Sequence, residues 1–357
     1  MQSVFRIVIL LQILASSQIS LADCSQVLKI SPDNPPHKLS ETGVFENLSD
    51  LKICSSALKY EVNLPFWSDG ALKRRWIILP KDQKIQFVPE DPWKFPKGTI
   101  FIKHFEFKSK FFKPFRIETR LLMNLTEDDW YGYSYQWQDN QKDAILLEDS
   151  ATKEYSVYDP HEPTETKKQV WRFPSQRACL ECHNSWSSYI LGARTEQLNL
   201  TEGGKRTNQL NSWNEMDFFS KKIEEASQFK KYVSLSDKTQ TLEKRVKSYL
   251  ASNCVQCHQP DSPARSHMDF RFKTPVEFMN VIGQKPNAGD MNMPDALLVK
   301  PGKKESSILW LRLMATSTLR MPPLGSNVAD REAIDLIGVW IDSLGSSHDL
   351  NETSIRD

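Results

Sequence analysis

Cys179-Leu180-Glu181-Cys182-His183 and Cys254-Val255-Gln256-Cys257-His258 are two copies of one five-residue pattern, Cys-x-x-Cys-His. Two intervening residues put both thiols on one side of a single helical turn, with the imidazole next to them. That spacing suits a planar group joined through two thioethers and ligated by a ring nitrogen. It is the attachment pattern of c-type haem. With six Cys and seven His in 357 residues, about 0.002 copies are expected in a shuffled chain, so two are no accident of composition. Cys-x-x-Cys alone would also serve a redox dithiol or half a zinc site, but neither requires the following His. The paired units of a zinc ribbon lie about 15–20 residues apart. These two start 75 residues apart. The pattern therefore predicts two covalently attached haem c groups, on Cys179 and Cys182 and on Cys254 and Cys257, with His183 and His258 as axial ligands.

The chain begins as an exported one. Arg6 precedes the mostly apolar run Ile7–Ala15, and Ser20-Leu21-Ala22 is a small-x-small site, so residues 1–22 read as a secretory signal peptide. No stretch reaches the roughly 20 apolar residues of a membrane helix. The expected product is soluble and periplasmic. Leu21-Ala22-Asp23-Cys24 resembles a lipoprotein cleavage box, with Asp23 where a small residue is needed, so a lipid anchor at Cys24 is the lesser alternative. The motifs use four of the six Cys, and Cys24 and Cys54 remain as a disulfide candidate for an oxidising compartment. Closing that loop would contribute about 3–4 kcal/mol in the chain-entropy view. A net charge of +1 argues against strong attraction to nucleic acid or membrane. The sequons at Asn47, Asn124, Asn199 and Asn351 matter only in a eukaryotic secretory pathway.

Composition divides the rest. Residues 23–59 form an N-terminal segment, and residues 60–170 are aromatic-rich with short apolar runs punctuated by Pro. Ile77-Ile78-Leu79, Ile85 to Pro89, Thr99 to Ile102, Ile117 to Leu121 and the alternating Tyr131-x-Tyr133-x-Tyr135-x-Trp137 read as strands of a sandwich-like domain. Asp69, Asp91, Glu118, Arg120 and His104, polar residues among these strands, are expected at surface or turn positions. Residues 171–235 carry the first motif, with a helix predicted from Trp213 to Phe229. Residues 236–345 contain predicted helices from Thr241 to Ala251 and from Asp330 to Leu344, the latter capped by Asp330 or Asn327, and residues 346–357 form a tail.

Between those two helices lies Arg320-Met321-Pro322-Pro323-Leu324. Helix, Cys-x-x-Cys-His, loops, a Met-Pro loop and a closing helix resemble a class I cytochrome c domain. Met321, 63 residues after His258, stands where that family places its thioether ligand. Met291 and Met293 rank behind it. Upstream, Leu64-Pro65-Phe66-Trp67-Ser68-Asp69-Gly70-Ala71, Phe95-Pro96-Lys97-Gly98-Thr99, Lys103-His104-Phe105, Ile117-Glu118-Thr119-Arg120-Leu121, Trp171-Arg172-Phe173-Pro174-Ser175 and Gln197-Leu198-Asn199 resemble motifs of a bacterial dihaem c-type cytochrome family. The likeness covers roughly residues 60–345. Some members are associated with quinoprotein-type sugar dehydrogenase domains, which implies a redox partner of that kind. The resemblance implies an α+β multidomain chain: a β-rich domain, a haem-binding segment and an all-α class I cytochrome c domain. It also implies electron transfer, with no catalytic residue.

The first motif has no Met-Pro loop of its own. Its candidates for a sixth ligand are His104, His161, His267, Met123 and Met216, with His104 foremost because it sits beside a β-strand that could fold over the haem. Without such a ligand, the first haem would be open, and the alternative is a dihaem peroxidase, an oxidase-like enzyme or a gas sensor.

Overall fold

Alternation of apolar and polar residues from Ala57 to Leu146 generates one antiparallel sheet, and this sheet positions the rest. The structure, a computed structural model, describes residues 24, 27, 30–111, 113–125, 129–159, 165–201, 207–262, 264 and 266–352. The expected signal peptide and His161 lie outside them. A short hairpin, β1 (Phe45–Asn47) and β2 (Lys52–Ile53), leads in. The six-stranded sheet follows as β3 (Ala57–Lys59), β4 (Leu72–Ile78), β5 (Ile100–Lys108), β6 (Pro114–Asn124), β7 (Trp130–Trp137) and β8 (Ala144–Leu146), each strand paired with the next. A separate long hairpin, β9 (Ala151–Tyr158) and β10 (Thr166–Phe173), packs on it through Val157, Trp171 and Phe173 against Phe105, Phe107 and Ile117.

The two faces of the sheet have different jobs. Trp76, Ile102, Leu121 and Tyr133 stand in register on one face and pack on Leu39, Val44 and Phe45 of the N-terminal segment. Each such side chain contributes about 1.5–3 kcal/mol by leaving water. Cys24 and Cys54 are bonded in this core, with Cα atoms 5.2 Å apart. Residues of the intervening positions, Arg75, Lys103, Arg120 and Ser134, form a cross-strand row on the other face.

Helices follow the sheet. They are α1 (Gln176–Cys182), α2 (Thr195–Leu198), α3 (Gln209–Glu215), α4 (Leu242–Asn253), α5 (Ile308–Met314) and α6 (Arg331–Glu352). Ser175 caps α1, its hydroxyl accepting from Ala178 N, and Thr241 caps α4 by accepting from Lys244 N. Asp330 accepts from Ala333 N at the start of α6. Val246 and Leu250 of α4 bury against Ile334, Ile337 and Ile341 of α6. Among the described residues no helix is long and apolar enough to cross a membrane.

Several expectations need correction. The fold is not a sandwich followed by an all-α class I cytochrome c domain. One sheet with a packed hairpin replaces the sandwich. Among the described residues of 236–345 only α4, α5 and the first part of α6 are α-helical, and the remainder is irregular chain, bends, turns, short 3-10 helices and isolated bridges. No metal-holding cluster organises it into such a domain among the described residues. The helix expected from Trp213 to Phe229 stops at Glu215, because side chains there take over backbone bonds. Asn214 bonds both N–H and C=O of Ile223, and Asn211 accepts from Ala226 N. Ile85 makes an isolated bridge to Phe219 instead of joining a strand.

Asp69, Glu118 and His104 are not surface residues; their exposures are 6%, 0% and 0%. Each is buried because partners distant in sequence meet it. Asp69 Oδ1 accepts from the backbone N–H of Asn327 at 2.7 Å and of Val328 at 2.8 Å. Burial pushes its carboxyl up, and those two N–H groups pull it back. Glu118 accepts from Arg120 at 2.7 and 2.8 Å and from Trp171 Nε1 at 2.9 Å. Replacing Asp69 by Ala would leave two N–H groups without their acceptor. We expect Asp69→Ala to destabilise the chain by about 2–4 kcal/mol in chemical denaturation. A change below about 0.5 kcal/mol would show that the link contributes nothing.

Candidate functional site

The first motif lies against β7. Helix α1 approaches the strand so closely that a Cβ at Gly132 would stand 2.7 Å from Cys179 Cβ. Glycine breaks the aromatic run of β7 at the one position where the helix needs that room. His183 Nδ1 lies 2.6 Å from the Tyr189 carbonyl oxygen. A carbonyl only accepts, so the proton sits on Nδ1 and Nε2 keeps its lone pair. Burial pushes the His183 pKa down to about 3, so the ring is neutral, the form that binds a metal. Burial also pushes the Cys179 and Cys182 thiols up to about 11. A cavity of about 140 Å³ touches Cys179, Cys182 and His183, and the sheet closes it with Arg75, Lys103 and Arg120.

The second motif follows α4. The backbone N–H of His258 donates to Cys254 O at 2.9 Å, closing the motif's turn. Its Nδ1 lies 2.9 Å from Ser266 Oγ, and burial pushes its pKa down to about 4. Burial pushes the Cys254 thiol up to about 12 and also raises that of Cys257. A cavity of about 920 Å³ is lined by Cys254, Cys257, His258, Phe270, Leu309 and Met321. That volume lies in the range of sites for cofactor-sized groups. Met321 is held there by its own N–H, which donates to Arg312 O at the end of α5 at 2.9 Å.

The other candidate donors fall elsewhere. His104 shares the sheet face of Ile102, opposite that of Lys103, and so points away from the first motif. Its Nδ1 is 2.8 Å from Thr119 Oγ1 and its Nε2 is 3.5 Å from Glu106. The expectation that His104 ligates at Cys179–His183 is therefore corrected: strand pleating fixes it on the wrong face. Met123 is buried on that same far side. Met216 is 52% exposed at the end of α3. His267 lines the second cavity, not the first, and Met291 and Met293 line neither.

The two motifs are neighbours in space. Gln259 Nε2 donates to Trp186 O at 2.8 Å, joining the segments that follow His258 and His183. Cys257 is near enough to Cys182 that a thiolate on one would push the other thiol up further. The stretch Leu64–Gly70 braces the helix before the second motif and the chain after Met321. Leu64 O accepts from Ser252 Oγ at 2.7 Å, and Trp67 N donates to Asn253 Oδ1 at 2.7 Å. Trp67 Nε1 donates to Val328 O at 2.7 Å, just beyond the Met321 loop.

The expected inventory of two covalently attached haem c groups is corrected. Among the described residues no group of three or more His, Cys, Asp and Glu is placed to hold a metal ion, so side chains alone form no metal centre at either motif. The two sites are also unequal in room, about 140 against about 920 Å³. Sequence reasoning missed Arg75 and Lys103 as site residues. Their strand positions alternate with Trp76, Ile102 and His104, and that alternation was the available signal. No family model, no curated protein and no solved structure matches the chain. We expect Gly132→Ala to lower stability by about 1–3 kcal/mol through the clash with Cys179, read by thermal unfolding. An unchanged melting temperature would mean that α1 does not pack on β7 as described.

Proposed function

We propose that the chain is an exported electron-transfer protein of the c-type cytochrome kind, with its redox site in the Cys254–His258 cavity. One observation carries this reading: a cavity of about 920 Å³ brings both thiols, the imidazole and the Met321 thioether to one place. Besides the thiols, the chain offers one nitrogen, of His258, and one soft thioether sulfur, of Met321, there. A nitrogen with a soft sulfur suits a redox-active iron group that brings further donors of its own. Cys254, Cys257, His258 and Met321 are the residues that would hold such a group. When bound, such a group supplies reversible one-electron chemistry.

The chain's own residues supply the rest. Ser266 Oγ, 2.9 Å from Nδ1, orients the His258 ring. The Phe270 ring lies 5.5 Å from the imidazole, and with Leu309 and Leu313 it gives the cavity apolar walls that exclude water. The Met321 N–H bond to Arg312 fixes the loop, which would hold the thioether in place as a bound group changed charge. Fixed ligands keep the reorganisation on electron transfer small. The likeness to a family associated with quinoprotein-type sugar dehydrogenases supports a dehydrogenase of that type as the electron donor.

Met321→Leu is expected to abolish the near-infrared methionine–iron band of the oxidised protein and to lower its midpoint potential. Persistence of the band would sink the assignment of Met321. A Cys254→Ser/Cys257→Ser double variant should retain no chromophore at this site after denaturation. Chromophore still covalently held by the peptide around residue 254 would overturn the attachment.

A further inference from the structure

Arg75 of β4, Lys103 of β5 and Arg120 of β6 are direct cross-strand partners in one row. Like charges opposite each other on neighbouring strands destabilise a sheet, and removing them from water adds several kcal/mol unless something compensates. The compensation in the chain itself is partial. Glu118 is fully buried and forms two hydrogen bonds to Arg120, at 2.7 and 2.8 Å. Among the described residues no carboxylate pairs with Arg75 or Lys103. Glu61, which acts on Arg75 from a distance, is itself paired with Lys59 at 3.1 Å. All three cations line the cavity of about 140 Å³ that also touches Cys179 and His183, and Arg172 adds a fourth.

We propose that this cavity is an anion site that takes a carboxylate among Arg75, Lys103 and Arg120, beside the first motif. Guanidinium forks match a carboxylate in two parallel hydrogen bonds, and Lys103 adds a point charge between them. The inference stands independently of the second cavity. Burial without a partner pushes the Lys103 pKa down to about 7, and a bound anion would favour its charged form. The carboxylate has two sources, a free small acid or a group carried on the thiols of Cys179 and Cys182, and the chemistry of recognition is the same for both.

Thermal unfolding of the full exported chain in acetate against chloride at equal ionic strength tests the site, together with the mass of the Cys179–Cys182 peptide. If the ligand is free, acetate raises the melting temperature of the wild type by several degrees. Lys103→Met and Arg75→Met then lose that increment, and Lys97→Met, on the surface, keeps it. If the carboxylate is thiol-borne, the peptide carries added mass and acetate has no effect. Lys103→Met then lowers the melting temperature of the loaded chain but raises that of a Cys179→Ser/Cys182→Ser chain. An acetate increment equal in wild type and Lys103→Met, or neither increment nor added mass, would overturn the proposal. The comparison is between increments, so a variant that is more or less stable in itself still gives an answer.

Discussion

The register of four antiparallel strands governs everything that faces the first motif. A slip of one residue in β5 against β4 or β6 would turn Lys103 into the aromatic core and bring His104 to the cavity. The packed face forbids that slip, because Trp76, Ile102, Leu121 and Tyr133 are buried together only in the observed pairing. Core packing on one side of the sheet therefore fixes chemistry on the other. The same register sets Gly132 under Cys179, where any larger residue would hold the helix off the strand.

A second constraint joins the sheet to the helical part. The turn from Leu64 to Gly70 connects β3 to β4, yet most of its polar groups are used by residues far along the chain. Trp67 and Asp69 both reach the backbone at residues 327 and 328, between the Met321 loop and α6. The loop that supplies the thioether is thus anchored at one side by Arg312 and a few residues later by the sheet's own turn. The sheet and the Met321 cavity form one connected body through hydrogen bonds that neither part could satisfy alone.

What could be read from the residues followed local rules. The strand from Tyr131 to Trp137, the helix after Thr241 and the helix after Asp330 each carry their period and cap within the segment itself. The Cys-x-x-Cys-His motifs and Met321 were legible as candidate donors for the same reason. The burial of Asp69, Glu118 and His104 was not, because it depends on Val328, Trp171 and Thr119, whose approach is a matter of tertiary packing. Trp213 to Phe229 had a convincing helical stripe, but the amide side chains of Asn211 and Asn214 captured the backbone first. The cationic row was hidden because its members lie on three strands, and no window of sequence contains them together.

The partial burial of the four motif thiols bears on the order of events in the life of the chain. A thiol adds to another molecule as its thiolate. In the folded protein Cys179, Cys182 and Cys254 are held as neutral thiols to about pH 11 or above, and Cys257 is shifted the same way. The finished fold is therefore a poor substrate for its own covalent modification. A group to be joined to these cysteines would be joined more readily while the peptide is still open, before α1 settles on β7 and α4 on α6. Folding then acts as the step that closes the window for loading.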